Sequence, residues 1–174
     1  MEKGRGKLQP HNIKQNMETT VRLITFDDAN QIFHNLLVKS DLDSVTEGLA
    51  KDIEKMKLGE FVKCVAVCDK NVVGQAEFKI SETPIRKHLV KVSGMVVMES
   101  YQGIGTSSKL LEFGTEWAKS NNAKMAILSV RKGTKAEKIY KHWGFEVYGE
   151  LRGGIVEPWE DGKAYDEVLM YKKL

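Results

Sequence analysis

The sequence predicts an α/β (α+β) fold built as one domain. Apolar residues recur at helical spacing in some segments and in alternation or short continuous runs in others, which indicates about four helices and six to seven strands. The order strand, helix, strand between residues 89 and 130 predicts a right-handed βαβ crossover. A chain of 174 residues that is 41% hydrophobic is long enough to bury one full core.

The first part of the chain is predicted to contain one strand and two helices. Val21–Thr25 alternates apolar and polar residues, which is typical of a half-buried strand. Two segments with apolar residues at helical spacing follow it. Short polar side chains cap helices by accepting hydrogen bonds from the free N–H groups of the first turn. The expected caps are Asp27 or Asp28 for the first helix and Asp43 or Ser44 for the second.

The pattern then changes to strand periodicity. Val62–Cys68 and Val72–Ile80 are joined by the polar residues 69–71, which predicts a hairpin. A longer strand is expected at Leu89–Met98. Gly94 lies inside this strand, and a glycine there indicates a bulge or a close approach of another group.

Helices and strands alternate in the second half of the chain. Thr106–Asn121 has an apolar stripe at helical spacing, and Met125–Val130 is an apolar run, broken only by Ser129, that suits a buried parallel strand. A further helix is expected at Ala136–His142. The last two strands are expected at Phe145–Leu151 and Tyr165–Tyr171.

Composition and charge favour a soluble domain and argue against two classes of partner. The formal net charge is +3, and residues 1–18 contribute most of it, so the rest of the chain is nearly neutral and nucleic acid is not expected as a partner. No apolar run approaches the roughly 18 residues of a spanning helix, so we expect a cytoplasmic protein without a membrane partner. Residues 1–18 are expected to form a disordered tail and residues 19–174 the single domain.

The two cysteines, Cys64 and Cys68, predict neither a disulfide nor a zinc site. Four residues of strand separate their Cα atoms by about 13 Å, which is beyond the reach of a disulfide. The histidines show no paired spacing that would complete a tetrahedral metal site. We therefore expect two buried, reduced thiols and no metal.

A loop containing two glycines lies between the strand at Leu89–Met98 and the following helix. Backbone N–H groups at such a helix N-terminus favour a phosphate group. A P-loop would need Gly-Lys-Ser/Thr, which is missing, and a dinucleotide loop would need a third glycine where Ser108 stands. The remaining pattern, Gln-x-x-Gly-x-small, is satisfied by Gln102, Gly105 and Ser107.

A second motif follows one helix and one strand later. The segment from Ala136 to Phe145 matches A-x-x-Φ-Y-x-x-x-G-F, where Φ is apolar. Together with the Gln-x-x-Gly-x-small loop, this motif resembles the GCN5-related N-acetyltransferase (GNAT) superfamily from Val21 to the end of the chain. Two positions depart from the family pattern. Ser107 stands where Gly or Ala is usual, and Gly133 stands where many members have an asparagine that contacts the pantetheine arm.

The resemblance implies a GNAT-like, mixed, mostly antiparallel sheet of six to seven strands flanked by about four helices. It implies that the fourth and fifth strands splay apart and admit the pantetheine arm. It also implies an N-acetyltransferase in which a primary amine attacks acetyl-CoA directly. The amine would belong to a small molecule, an amino acid or a protein N-terminus. The alternative is a non-catalytic acyl-CoA-binding or regulatory module on the same fold. The sequence leaves open whether the protein forms a homodimer.

The residues expected to bind acetyl-CoA lie in the loop and at the end of the fourth strand. Loop N–H groups would bind phosphate, with Ser and Thr hydroxyls adding donors. A backbone N–H near the end of the strand would polarise the thioester carbonyl. The expected cofactor-binding residues are Val96, Val97, Gln102, Gly103, Ile104, Gly105, Thr106, Ser107, Ser108 and Gly133.

Tyr140 is the expected general acid. It matches the family's position for that role, and a phenol with a pKa near 10 can protonate a departing thiolate. The base that deprotonates the amine is left open by the sequence. Glu77, Glu99 and His88 are candidates because they lie on strands or loops that could border the acceptor site, and a water relay is a further alternative.

The acceptor is indicated only weakly. The connection from Glu157 to Gly162 is acidic and contains Trp159, and acidic groups beside an aromatic ring favour a cationic amine. A polar turn at Asp161 and Gly162 is an equally good interpretation of the same residues.

Overall fold

A sheet of seven strands forms the centre of the computed structural model, which describes residues 18–157 and 162–174. The strands are β1 (Thr20–Leu23), β2 (Phe61–Cys68), β3 (Asn71–Ile80), β4 (Leu89–Val97), β5 (Met125–Arg131), β6 (Glu146–Val156) and β7 (Ala164–Lys173). The helices are α1 (Ala29–Asn35), α2 (Leu42–Lys57), α3 (Thr106–Ser120) and α4 (Lys135–His142). In the described residues the strand order is β1-β2-β3-β4-β5-β7-β6, and only β4 and β5 pair in parallel.

This arrangement confirms the predicted fold class. The sheet is mixed and mostly antiparallel, four helices flank it in the described residues, and β4, α3 and β5 form the expected βαβ unit. The hairpin of β2 and β3 also has the predicted turn, where Asp69 and Lys70 adopt positive φ values of 47° and 67°. Most boundaries agree with the sequence to within two residues. The exception is β6, which runs on to Val156 instead of ending at Leu151.

The predicted cap of α1 is wrong in its chemistry. Asp28 occupies the cap position, but its side chain makes no capping hydrogen bond to α1. Its carboxylate accepts hydrogen bonds from the backbone N–H of Thr25, at 2.8 Å, and from the guanidinium of Arg22, at 2.7 Å. The Asp28 carboxylate therefore caps the 3-10 turn at Phe26–Asp28 instead of α1. Through its bonds to Arg22, the same carboxylate fixes the end of β1 to the start of α1.

The predicted cap of α2 is also wrong. Helical geometry already begins at Leu42, so Asp43 and Ser44 lie inside the first turn. The cap is Asp41, whose carboxylate accepts hydrogen bonds from the backbone N–H of Ser44, at 2.8 Å, and from its hydroxyl, at 2.7 Å. Asp41, Asp43 and Ser44 lie within four positions, and sequence spacing alone did not show which of them caps the helix.

Gly94 forms the bulge in β4 that the sequence indicated. The register between β3 and β4 shifts between Gln75 and Glu77, and Gly94 has a φ of +58°. A Cβ atom at this position would lie 2.9 Å from Cδ of Glu77. Glycine is therefore required both for the positive φ and for the close approach of the Glu77 carboxylate.

The parallel strands β4 and β5 already separate before this bulge. Their described pairing joins Leu89–Lys91 to Met125–Ile127 only, although β4 continues to Val97 and β5 to Arg131. The wedge-shaped gap implied by the family resemblance is thus present.

Helices cover both faces of the sheet. Leu110 and Ala118 of α3 pack on one face together with Phe78 of β3, and α1 and α2 bury a second apolar cluster on the other face. Gly114 brings α3 very close to the sheet, since a Cβ atom there would lie 2.0 Å from Cε2 of Phe78. This contact fixes the distance between the sheet and the helix that follows the glycine loop.

Two sequence predictions concern residues outside the described part of the chain. The expected tail at residues 1–18 falls there except for Glu18, and so do residues 158–161 of the acidic connection, including Trp159. Cys64 and Cys68 are both buried and free, as predicted. Among the described residues, no helix has the length and apolar character needed to cross a membrane.

Candidate active site

A cavity of about 710 Å³ lies beside the end of β4, in the part of the strand that does not pair with β5. The glycine loop, the start of α3 and one face of α4 surround it. Its lining residues are Met95, Val97, Gln102, Gly103, Gly105, Ser107, Ser108, Lys135, Ala136, Lys138, Ile139, Tyr140, His142 and Trp143. The two sequence motifs are thus brought together around one space.

The glycine loop has the geometry of a phosphate-binding loop. Gly103 and Gly105 have φ values of +78° and +89°, and the space where their Cβ atoms would stand is open to 4 Å. Gly105 precedes the first residue of α3, so the free N–H groups of a helix of 15 residues face the same opening. The Thr106 hydroxyl, by contrast, donates to the carbonyl of Tyr101 at 3.0 Å and is buried. Its side chain supports the loop and does not add the expected donor.

Gln102 connects the loop to β4. Its Nε2 donates to the carbonyl of Val97 at 3.1 Å, and its Oε1 accepts a hydrogen bond from Nζ of Lys135 at 3.2 Å. The side chain that opens the Gln-x-x-Gly motif therefore fixes the loop against the strand and directs a lysine to it.

The backbone of Val97, and not that of Val96, faces the gap. Successive residues of a strand direct their N–H and C=O groups to alternating sides. The Val97 carbonyl points away from β3 to Gln102, whereas the Val96 carbonyl lies 3.0 Å from the position of a Cβ at Gly74 on β3. The N–H of Val97 is therefore the available donor, and the N–H of Val96 points toward β3.

Tyr140 lines the cavity and is buried. Its side chain is 9% exposed and packs edge-on against Trp143 and Phe145, with ring centroids 5.5 Å apart in both cases. The hydroxyl donates to Sδ of Met95, next to the bulge, at 3.6 Å. Burial raises the pKa of Tyr140 to about 12, so the hydroxyl keeps its proton at neutral pH.

The base candidates have different environments. Glu77 is half-buried at the bulge, where its carboxylate lies 2.8 Å from the ammonium of Lys63. Glu99 is exposed in the 3-10 turn that follows β4. His88 precedes the paired segment Leu89–Lys91, at the closed end of the gap, which places it away from the opening.

Gly133 is exposed and outside the cavity lining in the described residues. Its φ is +78°, and its N–H donates to Oε2 of Glu137 at 2.7 Å. Thr134 caps α4 directly after it. The position that carries asparagine in many members of the family is thus a tight turn into α4 here, with its N–H already used within the protein.

Lys135, Lys138, His142 and Trp143 line the cavity but were not among the predicted site residues. Lys135, Lys138 and His142 recur at three- and four-residue spacing and share one face of α4, whereas Trp143, just after the helix, lies three residues from Tyr140. That spacing was readable in the motif. Two cations that precede α4 are engaged elsewhere: Arg131 stacks on the ring of Tyr165, and Lys132 pairs with Glu150.

The site fits acetyl-CoA. The loop offers open backbone donors and the cation of Lys135 for phosphate, and the apolar inner part of the cavity suits an extended arm that ends near Tyr140. The fit is based on the open space beside Gly103 and Gly105, where nothing lies within 4 Å of the position of a Cβ atom. A side chain at either position would fill the space that a phosphate group needs.

Residues 29–145 match the acetyltransferase (GNAT) family, and the chain belongs to this family. Acetyl-CoA, expected from the two motifs, is the cofactor of that family. No curated protein sequence matches the chain.

Solved structures share this fold. A ribosomal-protein-alanine N-acetyltransferase from Brucella melitensis aligns with a TM-score of 0.73 at 22% identity, over 89% of this chain and 99% of that one. A Salmonella typhimurium structure with its cofactor acetyl-CoA aligns at 0.71 and 19% identity, over 90% and 94%. A spermidine N-acetyltransferase chimera from Vibrio cholerae and hSSAT aligns at 0.73 and 20%, over 89% and 95%. At these identities the likeness shows the fold alone.

The buried hydroxyl of Tyr140 gives stability a specific pH dependence. Its folded pKa of about 12 exceeds the ordinary value of 10.0, so ionisation favours the unfolded chain as pH rises from 10 toward 12. This contribution is fully present below pH 10. At pH 11 we expect a loss of about 1.4 kcal/mol in the wild type relative to Tyr140→Phe.

Urea unfolding of both proteins at pH 8 and pH 11 measures this difference. The other tyrosines and both cysteines are common to the two proteins, so their titration cancels in the comparison. An equal loss of stability in the two proteins would mean that the Tyr140 hydroxyl is not buried as described.

Proposed function

We propose that this protein is an acetyl-CoA-dependent N-acetyltransferase that acts on a primary amine by direct attack, with Tyr140 as the general acid. The reaction joins the amine nitrogen to the acetyl carbon and breaks the carbon–sulfur bond. One proton leaves the amine and one is delivered to the sulfur. The observation that carries this proposal is the protonated Tyr140 hydroxyl in a cavity that begins at a phosphate-binding loop.

When bound, acetyl-CoA supplies an activated acetyl thioester. Around it, the loop N–H groups and Lys135 bind phosphate, and the N–H of Val97 donates toward the carbonyl oxygen at the gap. Tyr140 donates its proton to the departing sulfur. Cofactor binding is proposed for the loop backbone at Gly103, Ile104, Gly105, Thr106, Ser107 and Ser108, and Gly133 contributes at most its carbonyl.

Glu77 is the base candidate that the geometry favours over Glu99. Its carboxylate touches Gly94 of the bulge, and the adjacent Met95 touches the Tyr140 hydroxyl. Acid and base thus border the same bulge, with the amine expected between them. Glu99 is exposed after the end of β4, and it is retained as the alternative through a water molecule.

Calorimetric titration with acetyl-CoA, followed by an amine panel assayed by thiol release, tests the proposal. We expect selective binding of acetyl-CoA, with ATP and NAD as controls, and turnover of at least one primary amine. Tight acetyl-CoA binding without turnover across small amines, amino acids and peptides would favour the non-catalytic module. Failure to bind acetyl-CoA would overturn both functions.

Lys135 is expected to contribute to cofactor affinity through its charge. Lys135→Gln should raise the Kd for acetyl-CoA about fivefold at low salt and weaken its salt dependence, because an exposed charge-assisted contact to phosphate is lost. Lys132→Gln is the matched control, since Lys132 pairs with Glu150 outside the cavity. Equal effects of the two substitutions in calorimetry would show that only general positive charge matters.

A further inference from the structure

The hydroxyl of Tyr140 has an unusual partner. It donates to the thioether sulfur of Met95 at 3.6 Å, and within the described residues no nitrogen or oxygen atom accepts a hydrogen bond from it. A thioether sulfur is a weak acceptor, whereas amide and carboxylate oxygens are strong ones. The proton that Tyr140 would give to a departing thiolate is therefore held by a weak acceptor.

The bulge of β4 places this sulfur at the cavity. Met95 follows Gly94, at the point where the register between β3 and β4 shifts. Its half-buried side chain packs against the core cluster that contains Tyr140, and it lines the cofactor cavity together with Tyr140. The sulfur thus belongs to a side chain that contacts both the packed core and the open space.

A weak acceptor suits a general acid. In the proposed reaction the Tyr140 proton must pass from its acceptor in the free protein to the sulfur of the cofactor. Hydrogen bonds are stronger where water is excluded, so an oxygen atom at the position of the Met95 sulfur would hold this proton and oppose its transfer. A thioether fixes the direction of the O–H bond without competing with the thiolate.

We propose that Met95 is a positioning residue for the general acid Tyr140, and that oxidation of its sulfur to the sulfoxide stops the reaction. The oxidant is a peroxide, such as hydrogen peroxide. Its O–O bond breaks, one oxygen atom bonds to Sδ, the sulfur loses two electrons, and the peroxide is reduced to water. The sulfoxide oxygen is then a strong acceptor beside the hydroxyl. This inference rests on the proposed acetyltransferase function and specifies what controls its acid.

The first experiment compares two substitutions of Met95 in the thiol-release assay. Glutamine has nearly the length of methionine and places an amide oxygen where the sulfoxide oxygen would be, whereas leucine removes the sulfur and adds no acceptor. Met95→Gln should lower kcat about 50-fold, toward the level of Tyr140→Phe, and Met95→Leu no more than about fivefold, because only glutamine retains the proton. Equal kcat values in the two variants would overturn the proposal.

A double-mutant cycle tests whether Met95 acts through the hydroxyl. Tyr140→Phe removes the hydroxyl, so adding Met95→Gln should change kcat by no more than about twofold. A loss of the same factor with and without the hydroxyl would show that Met95 acts on the shape of the cavity, and it would overturn the positioning role. Calorimetry with acetyl-CoA gives the same decision independently of turnover. A Kd that rises in Met95→Gln but not in Met95→Leu would make Met95 a binding residue only.

Peroxide treatment tests the modification site. Loss of wild-type kcat should follow oxidation of Met95, as measured by peptide mass spectrometry, and a methionine sulfoxide reductase with a thiol reductant should restore it. Met95→Leu should keep its own untreated kcat at a dose that inactivates the wild type. Met98→Leu is the matched control, because Met98 is also half-buried but does not line the cavity in the described residues, and it should remain as sensitive as the wild type. Equal sensitivity of Met95→Leu and the wild type would exclude Met95 as the site.

The rate of Met95 oxidation separates failure of this inference from failure of the proposed function, because it needs no turnover. The hydroxyl proton occupies a lone pair of the sulfur, so Tyr140→Phe should speed the oxidation of Met95 at least about twofold and leave that of Met98 unchanged. If no amine is turned over, this result would still support the positioning contact while the transferase proposal falls. Turnover with equal kcat in Met95→Gln and Met95→Leu would keep the transferase and overturn the inference. Equal oxidation rates without turnover would overturn both.

Discussion

Tyr140→Phe should lower kcat about 100-fold while leaving the Kd for acetyl-CoA within about twofold, because general acid catalysis typically contributes 10²–10⁴-fold. The substitution removes one oxygen atom and keeps the ring, which packs edge-on against Trp143 and Phe145. Within the described residues the hydroxyl makes one weak hydrogen bond, to Sδ of Met95. Its loss therefore removes the proton donor with little change in the cavity. Steady-state thiol release and calorimetry measure the two quantities.

Tyr148→Phe is the matched control for this substitution. Tyr148 is 55% exposed on β6, and the same change there should leave kcat unaffected. If Tyr140→Phe retained the wild-type kcat, the acid role would have to be reassigned, and a water molecule or His142 at the cavity wall would be the next candidate. A rise in Kd without a change in kcat would make Tyr140 a binding residue only.

Local patterns predicted the fold well where the sequence has a strong period. Met125–Val130 is apolar except at the exposed Ser129, and this short run was enough to predict β5, which pairs with β4 and β7. The end of β6 could not be predicted in this way. Residues 152–154 break the alternation with two glycines, and the strand continues past them only because β7 pairs with it again at Ile155 after an irregular segment.

The candidate site was predictable to the extent that its chemistry lies in contiguous motifs. The loop and the α4 motif located one cavity, and Gly94 indicated the bulge. The side chain that contacts Gly94 could not be found from spacing. Glu77, Lys63 and Asp52 lie on three different elements, and their ion pairs depend on strand register and on the packing of α2 over β2. Such contacts are long-range in sequence and leave no local period.

Gly114→Ala should lower the free energy of unfolding by about 3 kcal/mol, even though alanine is the better helix former. The new Cβ would lie 2.0 Å from Cε2 of Phe78, a ring with no exposed surface at the centre of the core. The ring cannot rotate away within a close-packed interior, so α3 must move outward from the sheet. Urea unfolding with matched controls measures the effect.

Two variants isolate steric overlap as the cause of this loss. Gly48→Ala makes the same change inside α2, where nothing lies within 4 Å of the new Cβ, and should stabilise the protein by up to about 1 kcal/mol. Phe78→Leu combined with Gly114→Ala removes the clashing ring atoms and should be less destabilised than the sum of the two single changes. Strict additivity would contradict the overlap. Because α3 begins at the glycine loop proposed to bind phosphate, the outward shift in Gly114→Ala should also raise the Kd for acetyl-CoA, whereas Gly48→Ala should leave it unchanged.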